Sequence, residues 1–133
     1  MNFIKKFISI LLIFIFSFAL AMPANAKVEG DTIILGAAVS LTGKYSTNGE
    51  HTKNGYNMAV KRINDMGGIT VEGKSYKFDI IYYDDESDSS RAAQLAERLI
   101  KQDGVHYMLG PYSSGLTKAM APVTEENKIP MVE

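Results

Sequence analysis

Two hydrophobic periods alternate along the chain. Residues 32–39, TIILGAAV, form an unbroken apolar run of strand length, the pattern of a parallel strand covered on both faces. Residues 40–52 are rich in Ser, Thr, Gly and Asn. They read as a loop, with Asn48-Gly49 as a tight turn. Tyr56, Ala59, Val60 and Ile63 then recur at i, i+3, i+4 and i+7, one face of a helix. Met66-Gly67-Gly68 ends that helix, because Gly accepts the left-handed conformation of a helix stop. Residues 71–75, VEGKS, read as a turn, and residues 76–83, YKFDIIYY, as a second strand.

The acidic stretch DDESDSS follows, where Asp88 or Ser89 can cap the next helix. Ala92, Leu95, Ala96, Leu99 and Ile100 give that helix its apolar face, and Asp103-Gly104 stops it. Residues 105–109 predict a third strand. Leu116, Met120 and Val123, with Ala119 beside them, mark a third helix, and residues 129–132 a fourth strand. Strands alternating with helices predict an α/β fold: a parallel, Rossmann-like sheet with right-handed crossovers and helices on both faces. The chain stops at Glu133, one residue past a strand-like segment, so a fragment of a longer protein is expected.

The first 26 residues follow neither period. Lys5 and Lys6 precede an almost purely apolar run from Phe7 to Met22, Pro23 breaks it, and Ala24-Asn25-Ala26 supplies small residues for cleavage. This is the pattern of a secretory signal peptide cleaved after Ala26, rather than of a membrane anchor. Without Lys5 and Lys6 the mature chain has 12 basic against 15 acidic residues, a net charge of -3. That balance offers no basic stripe for nucleic acid. The 133 residues contain no cysteine, so an exported product has no disulfide and depends on its core. It also lacks the cysteine that lipid attachment requires.

In open parallel α/β sheets, ligands bind outside the carboxyl ends of the strands, where strand order reverses. Three loops are expected at that edge, residues 40–52, 84–89 and 110–115. The last, GPYSSG, leads a strand into a helix. The first amides of a helix have no internal partners and carry the positive end of its dipole, so they can hold a carboxylate. Ser113 and Ser114 can add hydroxyls there, although one serine acting as N-cap explains the same residues.

Other chemistry finds less support. The first loop matches neither G-x-x-x-x-G-K-[ST] nor G-x-G-x-x-G, and Lys44 reads as solvated. Asp84-Asp85 could bind a metal or act as acid and base. A solvated or helix-capping role is the expectation, because a phospho-accepting receiver domain does not suit an exported chain. His51 reads as a loop residue and His106 as a structural residue at a strand start. Neither serine is flanked as G-x-S-x-G requires, and no metal-ligand spacing occurs, so neither an enzyme nor a cofactor is expected.

Three stretches, GAAVSLTGKYSTNGEHTKNGYNMAVKRINDMGGI, YYDDESDSSRAAQLAERLI and GPYSSGLTKAMAPVTEENKIPMV, together resemble the periplasmic solute-binding proteins of ABC transporters for branched-chain amino acids. The resemblance covers the chain from about Thr32 onward and implies a two-lobed, hinged binding protein. Residues 27–133 would supply the first part of its N-terminal lobe. It implies further that the protein resides in the periplasm as a monomer and delivers a small polar ligand to a membrane permease. Ser114 matches the serine that holds the ligand carboxylate, with Ser113 and Tyr112 beside it. Tyr45 and Asn48 fall in the first ligand-facing loop. Ser87 and Ser113 stand where some members carry a disulfide, so that bridge is missing. A ligand-sensing receptor ectodomain of the same fold is the alternative reading.

Overall fold

The computed structural model describes Val28 and residues 30–133. The expected signal peptide, residues 1–26, lies outside the described residues. Strand β1 (Thr32–Val39) leads into helix α1 (Ser46–Asp65). A hairpin of β2 (Ile69–Val71) and β3 (Lys74–Asp84) follows, then α2 (Ser89–Lys101), β4 (Tyr107–Leu109), α3 (Ser114–Glu126) and β5 (Met131–Val132). The sheet order is β2-β3-β1-β4-β5. β1 pairs in parallel with β3 and β4, and β4 with β5.

Three expectations are corrected. The segment 71–75 is not a free turn: β2 pairs antiparallel with β3, Ile69 opposite Tyr76. Glu72 (φ 51) and Gly73 (φ 81) are the two residues between the strands, and two left-handed residues suit a tight hairpin turn. β2 was illegible because all three of its residues are exposed and a three-residue strand carries no period. The second correction is the first loop, which ends at Tyr45, since α1 already begins at Ser46. Asn48-Gly49 is thus helix and not a turn, and His51 lies on α1. The third strand and the fourth are shorter than expected, starting at Tyr107 and Met131.

The two faces of β1 divide the core. Ala38, with Ile34 at its margin, joins Ala92, Leu95, Ala96, Leu99, Met108, Leu116 and Met120 in one cluster under α2 and α3. Gly36 lies in this face because a Cβ there would stand 2.7 Å from the Met108 sulfur. The helical face expected of α1 turns to the opposite side. Tyr56, Ala59, Val60 and Ile63 line an apolar cavity of about 170 Å³ with Leu35, Phe78 and Leu109. Helices therefore cover both faces, as the alternating pattern requires. Gly49 is the only buried residue of α1.

Candidate functional site

β3 lies on one side of β1 and β4 on the other. Strand order therefore reverses at β1, and the carboxyl ends of β1 and β4 are where open α/β sheets take a ligand. The loop after β1 and the loop between β4 and α3 meet there. The register Val39 to Asp84 also sets the start of the β1 loop beside the loop after β3.

The β4–α3 loop is anchored where it leaves β4, through both backbone groups of Gly110. Gly110 N–H donates to Val132 O at 2.7 Å, and the Tyr56 hydroxyl of α1 donates to Gly110 O at 2.7 Å. Burial, then the nearby Glu133 carboxylate, push the Tyr56 phenol pKa up, which keeps it a donor. Ser113 is extended (φ -110, ψ 144) and caps α3, its Oγ accepting from Leu116 N at 3.3 Å. Ser114 is the first residue of α3 and is exposed. The amides of Ser114 and Gly115 have no intrahelical acceptor. One serine therefore caps, and the next presents its hydroxyl beside unpaired amides at the positive end of a 13-residue helix.

Tyr45 precedes α1 and meets Tyr112 edge to face, with ring centroids 5.8 Å apart and an interplanar angle of 61°. Lys44 is exposed, as expected, but its ammonium also lies 4.7 Å from the Tyr45 ring centroid. The structure thus brings Tyr45 beside Tyr112, Ser113 and Ser114 at the carboxyl edge of the sheet. Asn48 lies in the first turn of α1, partly buried, with its carbonyl accepting from Thr52 Oγ1 at 3.0 Å. No hydrogen bond joins it to the serines among the described residues.

The acidic pair overturns its expectation. Asp85 is fully buried. Its Oδ1 accepts from Ser40 Oγ at 2.6 Å and Ser87 N at 2.8 Å, while Oδ2 has no partner. Burial pushes its pKa up, with Asp84 and Asp88 adding repulsion against the pull of Ser40 and Ser87. Asp84 Oδ1 accepts from Leu41 N, Thr42 N and Glu86 N, and Oδ2 from Thr42 Oγ1 at 2.8 Å. Partial burial works upward on Asp84, but those four bonds outweigh it and lower its pKa. Both carboxylates thus fasten the β1 loop to the β3 loop, because the parallel register stacks the two strand ends. Asp88 alone caps α2, accepting from Arg91 N at 2.7 Å.

Ser87 Oγ donates to Thr42 O at 2.8 Å and accepts from Tyr45 N at 3.0 Å. Ser87 and Ser113, matched to a disulfide in the resemblance, therefore spend their hydroxyls in different places. His106 is structural as expected, its Nδ1 accepting from Ile34 N at 3.0 Å. A separate open depression of about 360 Å³ is lined by Leu41, Ser46, Thr47, Glu50, His51 and Asn54, and it includes none of the five predicted residues.

Residues 32–133 match the family model described as periplasmic binding protein. The Leu/Ile/Val-binding protein BraC3 of Rhizobium johnstonii is 32% identical over 112 residues, 84% of this chain and 29% of that protein. The isoleucine complex of the branched-chain amino acid transporter substrate-binding protein LivJ from Streptococcus pneumoniae superimposes with a TM-score of 0.68 at 29% identity, covering 75% of this chain and 28% of that one. A solute-binding protein of an ABC transporter from Rhodopseudomonas palustris, in complex with 3,4-dihydroxybenzoic acid, gives a TM-score of 0.64 at 29% identity, over 77% of this chain and 26% of that one. The chain spans less than a third of the length of these proteins.

Proposed function

From the premise that the chain belongs to the periplasmic binding protein family, we propose that it is the first part of the N-terminal lobe of an extracytoplasmic solute-binding protein. The whole protein captures a branched-chain amino acid or a related small polar ligand and delivers it to the membrane permease of an ABC transporter. It is exported to the periplasm by residues 1–26 and works as a monomer. Residues 27–133 contribute one wall of the cleft.

The observation that carries this reading is the division of labour at the start of α3. Ser113 closes the cap through Leu116 N. The Ser114 hydroxyl and the first amides remain available to a carboxylate at the switch point of the sheet. Tyr45 and Tyr112 place aromatic surface at the same edge, suited to an apolar ligand side chain.

Calorimetry on the full-length protein with L-leucine, L-isoleucine and L-valine tests the proposal. Ser114→Ala removes a hydrogen bond to a charged group, which contributes about 1.5–3 kcal/mol. The affinity therefore falls roughly tenfold to hundredfold. Ser113→Ala chiefly lowers the stability of the free protein, since a lost cap costs about 1 kcal/mol. Unchanged affinity in Ser114→Ala, together with loss of apo stability, would make that hydroxyl purely structural and remove the assignment.

A further inference from the structure

Two facing loops hold an unusual concentration of left-handed backbone. Gly43 (φ 80) lies in the β1 loop, and Glu86 (φ 55) and Ser87 (φ 60) lie in the β3 loop. Left-handed non-glycine residues are strained and persist where the surroundings over-determine them. Here the surroundings are the two loops themselves. A Cβ on Gly43 would stand 2.6 Å from Glu86 O and 2.7 Å from Ser87 Oγ, so the two backbones touch at this point. Ser87 Oγ bridges Thr42 O and Tyr45 N across the contact. Its own N–H is held by the buried Asp85. Tyr45, the N-cap residue of α1, has no side-chain cap hydrogen bond, so the turn into that helix is held by the backbone bonds Ser46 N–H to Gly43 O and Gly49 N–H to Tyr45 O and by Ser87 Oγ, which accepts from Tyr45 N. Tyr45 in turn packs on Tyr112, one residue before Ser113.

We infer that Ser87 is a positioning residue for the ligand site: through its bonds to Thr42 O and Tyr45 N it holds Tyr45 against Tyr112 in the binding geometry. The inference rests on the solute-binding reading. The strained Glu86–Ser87 backbone aims the hydroxyl at the β1 loop, and Asp85 fixes that backbone from below. Loss of the hydroxyl leaves Tyr45 to sample positions away from Tyr112. The apparent affinity then falls by the fraction of time the ordered loop is populated.

Two substitutions in the full-length protein separate positioning from folding. Ser87→Gly removes the hydroxyl and also relieves the left-handed strain. Ser87→Ala removes the hydroxyl and keeps the strain. The glycine variant is therefore the more stable of the two, while both weaken L-leucine binding by the same factor, about tenfold for two lost hydrogen bonds. Amide exchange at Tyr45, read by NMR in the ligand-free protein, accelerates in both. A purely structural Ser87 would instead make affinity follow stability, with Ser87→Ala the weaker binder. That result, or leucine affinity and Tyr45 exchange both unchanged from wild type, overturns the inference and leaves the solute-binding reading intact. If the wild-type protein binds none of leucine, isoleucine and valine, the branched-chain reading falls. Tyr45 exchange then still decides whether Ser87 holds the loop: faster exchange in both variants supports it, and unchanged exchange overturns it.

Discussion

Gly49→Ala is expected to reverse the usual effect of replacing a helical glycine. Gly49 lies in the first turns of α1, and a Cβ built there falls 1.8 Å from Ser40 O and 2.6 Å from Ser40 C. Both are backbone atoms at the end of β1, which no rotamer change can move. To bring the nearest contact out to 3.0 Å, the start of α1 must withdraw by about 1.2 Å. Overpacking of this kind costs typically about 1–3 kcal/mol, against a gain of about 0.5–1 kcal/mol for losing a glycine from a helix interior. The net expectation is a loss of up to about 2.5 kcal/mol. Gly55, on the same helix, has nothing within 4 Å of its would-be Cβ, so Gly55→Ala should show the gain alone, about 0.5–1 kcal/mol. Urea unfolding of both variants of the full-length protein, followed by circular dichroism, measures the difference directly. Ligand affinity should fall in Gly49→Ala as well, because the same movement carries Tyr45 and Asn48. If Gly49→Ala proves as stable as Gly55→Ala, then the close approach of α1 to β1 does not constrain the fold, and the reasoning fails.

The two neighbouring aspartates should act on stability with opposite signs. Asp85 has a raised folded pKa, so the native state holds its proton more tightly, and its contribution is present at low pH and lost as pH rises through the raised value. Asp84 has a lowered folded pKa, so its contribution is present above the ordinary value of 3.8 and lost as pH falls through the lowered one. Urea unfolding from pH 3 to pH 7 should therefore show Asp84→Asn losing ground to wild type as pH rises. Asp85→Asn should gain ground over the same interval, and slopes of the same sign would contradict the assignment. For export, mass spectrometry of the periplasmic product should find Lys27 at the amino terminus, and an intact Met1 on a soluble exported product would defeat the expected cleavage.

The hydrophobic pattern by itself determined the strand–helix alternation, the apolar faces of α2 and α3 and the parallel sheet, while the choice of Asp88 over Ser89 as the α2 cap came from the structure. These are local periodicities, and each buried face is written in the residues that form it. A serine cap within Ser113-Ser114 could also be read there, since a helix start has a short signature. Tertiary structure decided the rest. Asn48-Gly49 has the composition of a turn, yet it is helical because Gly49 lets α1 lie against the Ser40 backbone. Nothing in a sequence window records that neighbour. β2 exists because β3 offers it an edge, not because of its own three residues. Asp84 and Asp85 look like a solvated acidic run. The register of Val39 with Asp84 places them against the loop after β1, 45 residues away in sequence for the Ser40–Asp85 bond. The pairing of two parallel strands, fixed by burial of their shared core face, turned these acids into the fastening of the candidate site.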